Sequence, residues 1–315
     1  MFKSKYRPIL GVDISSTAVR ILELSSTGSQ VTVSAYGCSE LPDKAMVGHA
    51  IQNKDQVACC IKKILNTSSF SSKQAACAIP DALVISKIIQ MNHDVTHRDI
   101  EALVITEAEQ AIPYPIHDIN LDFNVLGPSA KKAAMLDVLM VATRAEHVQQ
   151  RMAVLTLAGL EPALVDVESY AVERAAPFML VGLPMNLDKK NILILDIGDE
   201  YTHLFVLQGM RLVLFHEVCL DARQLTHPIH ESMLLPFQRA VHFFFITEQV
   251  AVDYILLAGR SAMLPGLSDR LQALLNIPTG VVNPFRHPNT VSNQFIEDAP
   301  MLMKAWGLSL PQGGY

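Results

Sequence analysis

No stretch of this chain reaches the roughly 18 consecutive apolar residues that a membrane-crossing helix needs. Yet half of its 315 residues are hydrophobic and its mean hydropathy is +0.25. The apolar runs, such as Ala133–Ala142 and Tyr254–Ala258, are of strand length and broken by polar residues. The opening MFKSKYRPILGVD carries basic residues but too short an apolar run for a signal peptide. No block of Lys or Arg stands out, and the net charge is −6, which weighs against nucleic acid or anionic lipid as the main partner. The five cysteines are odd in number and include no CxxC, so core packing is favoured over metal or redox work. The eleven histidines, His97, His203, His227 and His230 among them, show no HExxH or comparable ligand spacing. With no GxSxG either, hydrolase chemistry has no support. The expectation is a cytoplasmic protein whose surplus apolar residues cover partner surfaces as well as core.

What is present is a repeated acidic hairpin. Asn191–Leu207, NILILDIGDEYTHLFVL, reads as a buried strand, a tight turn at Gly198 and a second strand. Ile9–Leu24, ILGVDISSTAVRILEL, has the same form, with Asp13 in the place of Asp196. Each copy puts one carboxylate at the end of a buried strand, before a hydroxyl-bearing turn. One copy per half suggests two related halves facing a shared cleft. The length admits two domains at about 100–200 residues each.

Between these hairpins, apolar spacing predicts helices over Asp55–Leu65, Glu146–Leu157 and Ser169–Leu180. Another helix opens on the capping-box form Thr96-His97-Arg98-Asp99 and must end by Pro113. Strands are expected at Val31–Ala35, Ala75–Ile79, Leu83–Gln90, Ile119–Val125, Met135–Ala142 and Ala163–Val167. Residues 83–167 thus read as one compact strand-helix-strand-strand-helix-strand unit, and Gly182–Lys190 as the crossing between halves. The second half continues with a strand at Leu212–Val218, a Phe-rich helix at Pro236–Thr247 and a strand at Tyr254–Leu257. Helices at Leu267–Leu275 and Met301–Leu308 complete it. Strands and helices alternate throughout, so the class is α/β.

LGVDISSTAVRILEL and LDIGDEYTHLFV resemble the two phosphate hairpins of the actin-like ATPases, and LLAGRSAMLPGL resembles their adenosine motif. Within that superfamily, ITEAEQAIPYPIHDINLDFNVLG followed by VLMVATRAEHVQQRMAVLTLAGLEPALVDVESYAVERA resembles the PilM family. These are actin-like proteins of type IV pilus assembly and relatives of the division protein FtsA. The resemblance implies an actin-like (ribonuclease H-like) two-lobed fold with ATP between the lobes. Subdomain 1A would comprise 1–82 and 168–190, with the helix at 301–310 returning to it. An inserted subdomain 1C would span 83–167. The second lobe, 191–315, would hold 2A with a shortened 2B. The resemblance also implies a PilN-type membrane partner, whose cytoplasmic N-terminal tail binds in a groove between 1A and 1C. Through it the protein would sit at the inner membrane and link to the pilus motor ATPase or platform protein.

For the cleft, the resemblance implies Asp13 and Asp196 as holders of Mg²⁺ through water, a cation that prefers oxygen ligands. Ser15, Ser16, Thr17, Arg20, Gly198, Thr202 and Gly259 would line ATP. The residues alone allow another reading, in which the two aspartates only cap buried hairpin turns. The chain also departs from the family pattern. Ser15 stands where a glycine is usual, Asp199 and Glu200 follow Gly198, and Arg260-Ser261 follows Gly259. About ten residues separate Thr226 from the Phe-rich helix, so most of subdomain 2B is missing. A degenerate ATP site is expected from this. The alternatives are an active ATPase whose nucleotide state controls partner binding, and an FtsA-like filament-forming protein. The ending Pro311–Tyr315, just after an apolar helix, disfavours the latter. Glu107 and Glu109 are either a solvated helix face or contacts for a basic residue of the partner's tail.

Overall fold

The two acidic hairpins become the centres of two sheets with the same strand plan. A computed structural model describes residues 8–27, 30–92, 96–129, 132, 135–181, 183, 190–220, 222–288, 290–291 and 297–311. The expected crossing over 182–190 falls almost wholly outside them, as do 312–315.

In the first half β1 (Leu10–Ile14) pairs antiparallel with β2 (Ala18–Thr27), which pairs with β3 (Gln30–Glu40). A two-residue pair follows, β4 (Met46–Val47) and β5 (Ala50–Ile51), then α1 (Lys54–Thr67), capped by the Asn53 side chain. Next, β6 (Gln74–Ile79) runs parallel to β1. The chain then leaves this sheet through β7 (Val84–Asn92), α2 (His97–Ala111), β8 (Ile119–Pro128) and β9 (Met135–Arg144). It returns through α3 (Ala145–Leu157), β10 (Glu161–Val167) beside β6, and α4 (Glu168–Met179).

In the second half β11 (Asn191–Ile197), β12 (Tyr201–Gln208) and β13 (Arg211–Cys219) repeat the antiparallel trio. After α5 (Glu231–Glu248), β14 (Tyr254–Ala258) lies parallel to β11; after α6 (Leu267–Leu275), β15 (Thr279–Val281) lies parallel to β14. Finally β16 (Thr290–Val291) extends the first sheet beside β3, and α7 (Met303–Ser309) packs on β1 and α4. The sheet orders are β10-β6-β1-β2-β3-β16 and β15-β14-β11-β12-β13. In each, the first strand of the hairpin has antiparallel neighbours on one side and parallel strands on the other.

Burial follows the two faces of each sheet. One core fills the space between the sheets, joining Leu22 and Leu24 to α4, Trp306, Ile192, Ile194 and Phe205. A second covers the outer face of the first sheet with α1 and α3, and a third covers the outer face of the second sheet with α5 and α6. The order is therefore helices, sheet, helices, sheet, helices. Close approach of α7 depends on Gly307: a Cβ there would stand 1.8 Å from the Ala171 carbonyl oxygen of α4.

Two expectations change. The unit expected over 83–167 divides between two sheets. Only β7, β9 and β8 form the separate antiparallel layer, which buries Ile89, Met91, Val138 and Met140 against α2. The last strand, β10, pairs parallel with β6, with one register shift between Pro162 and Leu164, and belongs to the first sheet, because its apolar residues complete that sheet's parallel side. The Phe-rich helix is also longer than expected, since α5 starts at Glu231, five residues before Pro236.

Candidate functional site

The carboxyl ends of β1, β6, β11 and β14 converge on a cleft of about 80 Å³, lined there by Ile14, Pro80, Asp196 and Gly259. In sheets of this kind ligands bind at the carboxyl ends of the strands. Strand register places the chemistry. Asp13 lies directly opposite Arg20, and Asp196 directly opposite His203. Each hairpin thus sets a carboxylate against a base, with the Asp13–Arg20 and Asp196–His203 contacts both at 3.6 Å.

The alternation of side chains along β12 sends Tyr201 and His203 into the cleft and Thr202 to the opposite face. There Thr202 is fully buried with Leu204 and Val206 on the outer side of the sheet, and its hydroxyl has no hydrogen-bond partner. Thr202 is therefore not a phosphate contact, contrary to expectation. Asp13, Ser15, Ser16, Arg20, Asp196, Gly198 and Gly259 all line the cleft. The Ser15 hydroxyl, however, is spent inside its own turn, donating to the Ala18 carbonyl and accepting from the Ala18 N–H. Gly259 has φ +83°, and a Cβ on it would stand 2.8 Å from an Asp196 carboxylate oxygen. The bare backbone makes room for that carboxylate.

The centre of the cleft is held by residues outside both hairpins. Lys304 on α7 extends its ammonium to within 2.7 Å of Glu168 and 3.2 Å of Asp196. All three side chains are buried or nearly so. Burial disfavours a charge on each, but the pairing prevails. It drives Lys304 well above the usual lysine range, and Glu168 and Asp196 below the usual carboxylate range. Glu168 is the first residue of α4, where the helix dipole also favours an anion. For Asp13 burial prevails, raising its pKa despite Lys304 and Arg20 nearby.

A second chain of charge runs from Asp196 to the rim. His203 Nδ1 faces Asp196 through charge alone, while its Nε2 lies 3.0 Å from Glu217. Burial and Lys304 oppose a proton on His203, yet the two carboxylates raise its pKa to about 9. The other oxygen of Glu217 is 2.8 Å from His49 Nε2, in the turn between β4 and β5. Burial works against the Glu217 carboxylate, but both histidines hold its pKa down to about 2. The two halves are further joined by Thr17, which donates to the Asp199 carboxylate, and by Arg260 at 3.2 Å from Glu40.

These residues do not fit a magnesium ion between Asp13 and Asp196. Asp196 is already paired with an ammonium and a histidine, and Asp13 with a guanidinium. Among the described residues no group of three or more His, Cys, Asp or Glu is arranged to hold a metal. Both aspartates, expected as holders of Mg²⁺, stand instead in ion pairs with the protein's own bases. The space is also small for a nucleotide, since ligand pockets run to roughly 300–1,000 Å³.

Sequence reasoning missed Lys304, Glu168, Glu217, His49 and the buried Arg151, which also lines the cleft. Two signals were available. His203 follows Asp196 by the interval at which Arg20 follows Asp13. Lys304 is the only charged residue in a helix whose every residue is buried, and such a lysine requires partners.

Glu107 and Glu109 are not brought to one place. Residues two apart on a helix point to different sides. Glu107 lies 3.4 Å from Lys87 and lines a groove of about 490 Å³ with Ile88, Gln90 and Asp137, whereas Glu109 is exposed. The groove follows β7, an edge strand of its sheet.

The family model described as "Type IV pilus assembly protein PilM" matches residues 11–233 and 221–312. Among solved structures, the chain is similar to one titled "PilM-PilN type IV pilus biogenesis complex". It has 24% identity and a TM-score of 0.76 over 96% of this chain and 97% of that one. It is also similar to the ethanolamine utilization protein EutJ from Carboxydothermus hydrogenoformans. There the identity is 12% and the TM-score 0.55, over 96% of this chain and 89% of that one. These likenesses and the twice-used strand plan show an actin-like fold.

Proposed function

Because the chain belongs to the PilM family of type IV pilus assembly proteins, we propose that it is a scaffold binding the cytoplasmic N-terminal tail of a PilN-type membrane protein, with a degenerate ATP site. The partner links it to the inner membrane and to the pilus motor or platform. No helix among the described residues is long and apolar enough to cross a membrane. The observation that carries the reading of the cleft is its occupation by the protein's own charges. Lys304 fills the place between Asp196 and Glu168, and side-chain bonds from both halves span the opening. A nucleotide would have to displace all of these.

The tail's place is the groove along β7. A free sheet edge offers an extended peptide main-chain hydrogen bonds. Ile88, 55% exposed, supplies an apolar contact, and Glu107 supplies a carboxylate for a basic residue. The inserted-subdomain boundary belongs to the same proposal, with the layer of β7, α2, β8 and β9 forming one wall.

The experiment is fluorescence anisotropy with a labelled peptide of the PilN-type protein's N-terminal tail. The peptide is expected to bind equally well with and without ATP and Mg²⁺. Glu107→Lys is expected to weaken it about tenfold, equivalent to about 1.4 kcal/mol. Failure of the folded protein to bind the peptide overturns the scaffold. Binding that requires ATP overturns the degenerate site.

A further inference from the structure

We infer that Lys304 is the built-in counter-ion of the cleft, bridging one carboxylate from each half and holding the two halves together without nucleotide. The inference rests on the degenerate-site reading and names the residue responsible.

The geometry carries it. The ammonium is within hydrogen-bond distance of one carboxylate from each half: Glu168, opening α4 after the first sheet, and Asp196, ending β11 in the second. A divalent cation between two lobes would make the same bridge, but through exchangeable ligands. An ammonium on α7 is covalently fixed, so it cannot leave when a nucleotide does. α7 is itself anchored: Gly307 sits against the Ala171 carbonyl, and Ser309 accepts from the Gly11 N–H and donates to the Leu22 carbonyl. Lys304 therefore has a fixed base from which to reach across the cleft. Around the ammonium stand Asp13, Glu168 and Asp196 as acids, with Arg20, Arg151 and His203 as the nearby bases. Removing Lys304 leaves Glu168 and Asp196 buried without their shared cation, a strongly unfavourable arrangement. A cation from solution relieves it.

The test uses thermal unfolding and Mn²⁺ binding followed by electron paramagnetic resonance. The samples are the full chain, Asp196→Asn, Lys304→Met, and Lys304→Met with Asp196→Asn. The unsubstituted chain is expected to bind no Mn²⁺ at millimolar concentration and to show no change in Tm with Mg²⁺ beyond that of NaCl at equal ionic strength. Lys304→Met is expected to lose on the order of 8 °C in Tm. Mg²⁺ should restore part of that loss, and Mn²⁺ should bind. Adding Asp196→Asn should abolish both cation effects.

A Lys304→Met protein that is as stable as the unsubstituted chain, or that ignores divalent cations, overturns the role of Lys304 and leaves the scaffold reading standing. Mn²⁺ bound by the unsubstituted chain and lost in Asp196→Asn overturns both this inference and the degenerate site. If Lys304→Met does not fold, the measurement on the unsubstituted chain still decides.

Discussion

His203 shows how strongly single residues are tuned by what surrounds them. It is faced by Asp196 and Glu217 as acids and by Lys304 as a base, with Glu168 beyond and the rings of Phe205 and Phe215 alongside. Its folded pKa of about 9 lies above the ordinary value of 6.5. The proton is therefore bound more tightly in the folded chain. The resulting stability is fully present below about pH 6.5 and is lost as pH rises through about 9. The shift corresponds to on the order of 3 kcal/mol. Denaturant unfolding from pH 6.5 to 9.5 is expected to show that decline, and His203→Gln to flatten it. Asp81 works in a separate window. Burial raises it to about 6, so its ionisation costs stability as pH rises from about 4 to 6.

At the scale of elements, two helices are under contrasting control. α2 is set by its own sequence: Thr96 accepts from the Asp99 N–H while the Asp99 carboxylate accepts from the Thr96 N–H, so both ends of the box are closed. Thr96→Ala is expected to cost about 1 kcal/mol, read as faster hydrogen exchange confined to α2 and its sheet. α7 is set by its neighbours. At seven residues it is too short to be stable alone. It exists because Trp306, Leu302 and Met303 are buried between the sheets and because Gly307 admits the backbone of α4. Gly307→Ala pushes a methyl group into the Ala171 carbonyl, and the expected cost is about 3 kcal/mol or more by urea denaturation. It also moves Lys304, whereas the same substitution at a mid-helix position in open space would stabilise by about 1 kcal/mol.

For the whole molecule, the two sheets, the helices between them and the side chains across the cleft act together as one body. The shared core and the bridges Thr17–Asp199, His49–Glu217 and Lys304–Asp196 join the halves at both the floor and the rim. A single compact particle of this length has a radius of gyration of about 20 Å. Small-angle scattering is expected to give that value with and without ATP and Mg²⁺. A contraction on adding nucleotide would mean that the cleft is open in solution and closes on a ligand.

The amino-acid sequence by itself determined the class, the paired acidic hairpins and their membership of one family, because these rest on local signals. Buried runs, turn residues and the Thr96 capping box act over a few positions, and the specific stretches around Glu107–Gly127 and Leu155–Glu173 are contiguous. The hairpin register that opposes Asp13 to Arg20 and Asp196 to His203 came from the paired strands. Which face each residue would occupy was decided only in three dimensions. Thr202 turned outward because β12 alternates against a core on both sides, and β10 joined the first sheet because β6 offered it a parallel edge. The occupant of the cleft was decided furthest from any local signal. Lys304 lies over a hundred positions from Asp196 and Glu168 in sequence. It reaches them only because α7 returns to rest on β1 and α4. A buried ammonium must find carboxylates, and the fold alone brings these two within its reach.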